Sequence, residues 1–136
     1  MRTLYSQSLV VEALPYDTYT TGTNAGTTVD TALYKNNFRN VMFVVNAELS
    51  GDAGTHTFTI QESANNSDWT AVEAWRIQGS VPVITTANDN AVHVFGVSPT
   101  LRYVRIVDTA ASASTGLDVA AVAILTVGGD NPVARS

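Results

Sequence analysis

Apolar and polar residues alternate along this chain in short runs of period two, the pattern of strands whose side chains point to opposite faces in turn. In His56-Thr57-Phe58-Thr59-Ile60-Gln61, Phe58 and Ile60 share one face and the threonines the other. In Arg102 to Val107, Val104 and Ile106 are separated from Tyr103 and Arg105. The run Asn40 to Ala47 sets Val41, Phe43, Val45 and Ala47 on one side, but Met42 and Val44 make the other side apolar as well. That pattern predicts a central strand covered on both faces. In Leu117 to Val127, Val119, Ala121, Ala123, Leu125 and Val127 are in register, and the small alanines predict close approach to a neighbouring sheet or subunit. Shorter candidates at Leu4–Glu12, Thr27–Ala32, Trp69–Ile77 and Ala91–Val97 complete about eight strands.

Turn residues punctuate these runs. Ser50-Gly51-Asp52-Ala53-Gly54 reads as a hairpin turn, and Asn65-Asn66-Ser67-Asp68 and Asn88-Asp89-Asn90 read as turns in which short side chains bond the local backbone. Many short strands without a helix of normal length predict an all-β antiparallel sandwich of jelly-roll type. Two segments lack a burial pattern. Pro15 to Gly26 is polar and rich in Thr, Tyr and Gly, a long loop or an extended arm lying on a partner, and Gly128 to Ser136 reads as a turn and a flexible end. The expected organisation is a strand and docking arm over residues 1–26, a sandwich body over 27–128 and a tail over 129–136.

Composition narrows the function. The 136 residues suit one domain, and with 45% hydrophobic and 14% charged residues the chain is far from the composition of disorder. There is no cysteine, which excludes disulfides, thiolate metal sites and cysteine nucleophiles. Seven basic residues, Lys35 the only lysine among them, face twelve acidic ones for a net charge of −5. No basic stripe is present to neutralise phosphates or to hold the chain on an anionic membrane. The longest apolar run, Val119 to Leu125, is far short of the ~20 residues that span a bilayer, and the first residues lack the apolar core of a secretory signal.

Candidate chemistry is sparse. His56 and His93 are the only imidazoles, and both read as surface or rim residues of strands rather than bases. No nucleophile elbow, zinc-protease helix or phosphate-binding loop occurs. Glu62 and Glu73 flank the Asn65–Asp68 turn and are the one pair with the makings of a glycosidase site, although solvated carboxylates are the simpler reading. Asn88, Asp89 and Asn90 offer oxygens to a calcium ion without the spacing of a calcium loop. The expectation is therefore no enzyme, no cofactor and no metal. The aromatics say more. Trp69 and Trp75 flank one candidate strand, Trp69 reading as a plug at the sandwich edge, while Tyr16 and Tyr19 in a polar segment suit contact with another protein.

An ordered series of short motifs completes this reading. Thr27-Thr28-Val29-Asp30, Tyr34 and Asp52-Ala53-Gly54-Thr55-His56-Thr57-Phe58 are followed by Gln61-Glu62-Ser63 and Asn66-Ser67-Asp68-Trp69-Thr70-Ala71-Val72. Asn88-Asp89-Asn90 and Arg102-Tyr103-Val104-Arg105 come next. From about Thr27 to Leu125 the chain resembles a group of small virion structural proteins of tailed bacteriophages. The resemblance implies a non-enzymatic β-sandwich that decorates or cements the outer face of the assembled major capsid protein lattice. It implies a homo-oligomer, with a trimer favoured, on the virion surface, made in the bacterial host cytoplasm and without nucleic-acid or membrane partners. Tyr5, Tyr16, Tyr19 and Tyr34 are the expected capsid or partner contacts. Part of the series, the S-x-D-x-W-T turn and the R-Y-V-R strand, also recurs in discoidin-like and carbohydrate-binding sandwiches, so a glycan- or receptor-binding module on the virion or tail is the alternative.

Overall fold

A computed structural model describes residues 3–127 and 132–136. The chain is an antiparallel two-sheet β-sandwich, as the alternation predicts. Its strands are β1 (Ser8–Tyr19), β2 (Gly22–Ala25), β3 (Val29–Asp30), β4 (Asn40–Ser50), β5 (Thr55–Ser63) and β6 (Thr70–Ala71), then β7 (Ile77–Gln78), β8 (Val83–Ile84), β9 (Ala91–Val97), β10 (Tyr103–Ala111) and β11 (Leu117–Thr126). The first sheet runs β1-β11-β4-β9-β7. The second runs β2-β10-β5-β6, with β3 also on β10 and β8 on β5.

The core lies between the sheets. Val41, Phe43, Val45 and Ala47 of β4 and Val119, Ala121, Ala123 and Leu125 of β11 point inward from the first sheet. Phe58 and Ile60 of β5 and Val104 and Ile106 of β10 meet them from the second. Phe43 stacks on Phe95 at 5.6 Å between ring centroids. Each Val, Leu, Ile or Phe side chain among them contributes about 1.5–3 kcal/mol by leaving water. The inward alanines of β11 face the opposite sheet rather than another subunit.

Several expectations give way to tertiary contacts. Pro15 to Gly26 is neither a free loop nor an arm: Asp17, Thr18 and Tyr19 pair with Val119, Asp118 and Leu117, and β2 pairs with β10. Two register shifts in β1, one from Glu12 to Leu14 and one from Leu14 to Asp17, hide this from a pattern search, because the first turns Ala13 and Leu14 inward in succession. The Ser50–Gly54 turn does not make a hairpin, since β4 and β5 belong to different sheets. It arches between them, with Asp52 accepting from the backbone of Gly54, Thr115 and Gly116. Gly116 itself, at φ +90°, leaves no room for a Cβ, which would come within 2.8 Å of the Tyr19 carbonyl.

Leu4–Gln7, expected as strand, is a single helical turn (α1) held by a reciprocal cap between Thr3 and Ser6. Trp69 to Ile77 is not one strand, because a 3-10 turn at Ala74–Arg76 interrupts it. The last five residues, expected to be flexible, are tied down. Val133 is buried and donates to Ser6, Asn36 bonds the backbone of Ala134 both ways, and Arg135 lies 3.9 Å over the Tyr5 ring. The remainder of the expected tail, residues 129–131, lies outside the described residues.

Candidate functional site

The most distinctive surface is the outer face of the first sheet. In one row Val10 faces Ile124, Ile124 faces Met42 and Met42 faces Gly96; in the next, Glu12, Val122, Val44 and Val94 follow one another; Ala120, Asn46 and Val92 make a third. Val92 is 59% exposed, Val10 56%, Val94 51%, and Met42 and Val122 39% each. Gly96 has no side chain to fill its place, and a shallow depression there is rimmed by Met42, Val94, Gln78 and the exposed Leu4 of α1. Together these side chains leave on the order of 600 Å² of apolar surface in water, the upper end of what an ordinary monomer exposes in one patch. The both-sided apolar pattern of β4 predicts a cover on each face; among the described residues, this chain supplies only the inner one.

Charge is distributed along the strands rather than across the sheets. The end at which β1 begins and β4 begins carries Arg39, whose backbone donates to Thr126, and Arg135, whose guanidinium donates to the Ser8 carbonyl. Lys35 belongs to the same end through Asn36 and Ala134. Arg76 and Arg102 also lie there, each in an ion pair, with Glu62 and Asp30. The opposite end, where β1 finishes against the start of β11, carries Asp17, Glu48, Asp52, Asp89 and Asp118 and, among the described residues, no Lys or Arg. Repulsion from the carboxylates of Asp118 and Glu48 holds the Tyr16 phenol above its ordinary pKa.

The four expected contact tyrosines do not converge. Tyr5, exposed on α1, and Tyr34, half-exposed with a left-handed φ of 55°, lie toward the basic end. Tyr16 and Tyr19 lie at the far end of β1. Tyr16 is 63% exposed, whereas Tyr19 packs against the core and donates its hydroxyl to the Pro15 carbonyl.

The titratable candidates serve the fold. His56, expected at the surface or rim, is fully buried because Asp108 on the neighbouring β10 gives its Nδ1 a partner at 2.8 Å. Burial holds the Asp108 carboxyl above the ordinary range against the pull of His56 and Asn24. No described hydroxyl lies on the ring's Nε2, so no nucleophile completes a relay. His93 reaches the Asn88 carbonyl. Glu62 and Glu73 do not face one another across a cleft. Glu62 is buried and accepts from the Arg76 guanidinium and from Thr100, which keeps its carboxyl below the usual range; Glu73 accepts from the Trp75 indole. Asn88, Asp89 and Asn90 form the expected turn, Asn88 bonding Thr85 and Val83 and Asp89 accepting from Ser50. No group of three or more His, Asp or Glu among the described residues is placed to hold a metal ion.

Of the tryptophans, Trp69 does not plug the edge of the core but lies on the second sheet with the Arg105 guanidinium 4.1 Å from its ring centroid. Trp75 is 78% exposed. The outer face of the first sheet is legible only as an oddity of β4, because its other members are single residues on strands distant in sequence. Comparison with known protein families gives no matching family model, and comparison with curated proteins gives no match.

Proposed function

We propose that this protein is a non-enzymatic structural component that works by fitting against other proteins, and specifically a capsid decoration protein on the outer face of a phage head. The observation that carries the reading is the bare apolar face of the first sheet, which approaches the size of a protein contact and holds a shallow depression rather than a deep cleft with convergent polar groups of the kind small substrates need. The strand order β1-β11-β4-β9 over β2-β10-β5-β6, with the chain crossing between sheets from β4 to β5, β9 to β10 and β10 to β11, supports a jelly-roll reading. Viral capsid and lectin domains share that architecture, an analogy of fold rather than of site. In this reading the major capsid protein is the partner, Tyr5, Tyr16 and Tyr34 supply exposed aromatic anchors, and several modest contacts per assembly add up through multivalency.

The test is co-sedimentation of the purified protein with mature capsid shells stripped of it. Saturable occupancy and a raised disruption temperature of the decorated shell are expected, because a ligand of the intact form alone stabilises it. Shells that stay bare and melt unchanged sink the proposal. The second reading, a glycan-binding module, rests on the exposed Trp75; sugar binding on an array, lost in Trp75→Ala, would replace the first.

A further inference from the structure

We propose that the outer face of the first sheet is where two copies of this chain pack, sheet on sheet, with strands antiparallel so that the basic end of each copy meets the acidic end of the other. Three observations converge on a second copy as the occupant. The centre of the face is uncharged: from Val10 across Ile124, Met42, Val122, Val44 and Val94 only Glu12, at the sheet edge, carries charge. A chain of net charge −5 repels its own kind over most of its surface, and this face is where that repulsion is least.

The ends of the face are complementary to one another. At the two ends of its strands Arg39, Lys35 and Arg135 stand at one, Glu48, Asp89 and Asp118 at the other. A two-fold axis lying in the face and perpendicular to the strands superposes each end on its opposite. An axis along the strands stacks like on like. Charge therefore selects the antiparallel arrangement, and a two-fold needs a self-complementary patch, which this polarity provides. The size agrees as well. On the order of 600 Å² of exposed apolar side chain, with the polar rim added, comes close to the ~800 Å² that each partner contributes to a standard interface. Sheets packed face to face in this way bury both sides of β4, as its sequence pattern requires.

The inference rests on the reading of this face as a protein-contact surface and gives the face to a second copy, so that contact with a shell falls to surfaces outside it. The experiment is light scattering and sedimentation of the purified chain across the micromolar range, with far-UV circular dichroism and an unfolding midpoint to confirm that each variant is folded. A dimer is expected. Val94→Thr with Val122→Thr keeps branched strand-forming side chains and is expected to raise the dimer Kd roughly tenfold or more. Arg39→Glu and Glu48→Lys, each made alone, are expected to weaken the dimer at low salt, and the two together to restore it. A monomer, a trimer (the stoichiometry implied by the resemblance), or a dimer indifferent to the paired valine substitutions would overturn the inference. Shell binding is scored separately. A monomeric chain that still decorates shells refutes the pairing and leaves the decoration reading standing; a chain that pairs through this face but ignores shells does the reverse.

Discussion

On the first sheet β4 turns Val41, Phe43 and Val45 inward and Met42 and Val44 outward, while on the second β5 turns His56, Phe58, Ile60 and Glu62 inward and Thr57, Thr59 and Gln61 outward. The first sheet is thus apolar through its thickness. The second places ionisable groups in the interior and hydroxyls, amides and an Arg105–Trp69 stack in water. The second sheet therefore satisfies its outer face with solvent. The first does not, and two sheets of one small domain have different relations to what surrounds them.

The contrast is sharpest under substitution. Phe43→Ala, in the apolar interior of the first sheet and against Phe95, is expected to cost about 3–5 kcal/mol, the range for deleting a buried aromatic ring; urea unfolding measures it. Next comes the ionic interior. Arg76→Ala strands the Glu62 carboxylate, 3% exposed, and is expected to cost about 3 kcal/mol in the same titration. The paired replacement Arg76→Met with Glu62→Leu, which leaves no charge behind, should cost much less; an equal loss from both would show that shape rather than charge matters there.

The two buried carboxylates also divide by pH. Arg76, above all, lowers the pKa of Glu62, so its contribution is present above the unfolded carboxylate value and is lost as pH falls through the folded one. Burial raises that of Asp108, so its contribution is present below the ordinary value of 3.8 and is lost as pH rises through the folded one. Glu62→Gln should flatten the acid limb of a stability–pH profile, and Asp108→Asn should remove the fall in stability that sets in above it as pH rises. At neutral pH Asp108→Asn is expected to change stability by only about 1 kcal/mol.

The smallest effects belong to the outer faces, where Thr59→Val on the second sheet and Val94→Thr on the first should each move the unfolding free energy by about 0.5 kcal/mol or less. The comparison there is read in solution mass instead. The second-sheet change should leave it untouched and the first-sheet change lower it.

Much of this was legible beforehand. Phe58 and Ile60 of β5, Val104 and Ile106 of β10 and Val41, Phe43 and Val45 of β4 face inward as the alternation predicts, because side-chain direction in a strand follows from backbone pleat. The alternation stops at the buried Val107 and Asp108, and the outer side of β4 is left uncovered among the described residues. What misled were places where a partner strand, not the local pattern, decides conformation. The polar Pro15–Gly26 segment is strand because β11 and β10 offer it backbone partners. The Ser50–Gly54 turn changes sheets because Asp52 is anchored on Thr115 and Gly116, 63 and 64 positions away. His56 is interior because Asp108 stands beside it.

By itself, then, the sequence determined that this chain makes short half-apolar strands, that it holds no cysteine thiol, and that β4 is apolar on both sides. These follow from side-chain chemistry and period, which need no knowledge of neighbours. Only the tertiary structure decided which strands stand side by side. With that it decided that Val10, Ile124, Met42 and Val94 form one face, that the described Lys and Arg residues keep away from the end carrying Asp17, Glu48, Asp52, Asp89 and Asp118, and that the expected tyrosines stand apart, because register and strand order are set by pairings between distant segments.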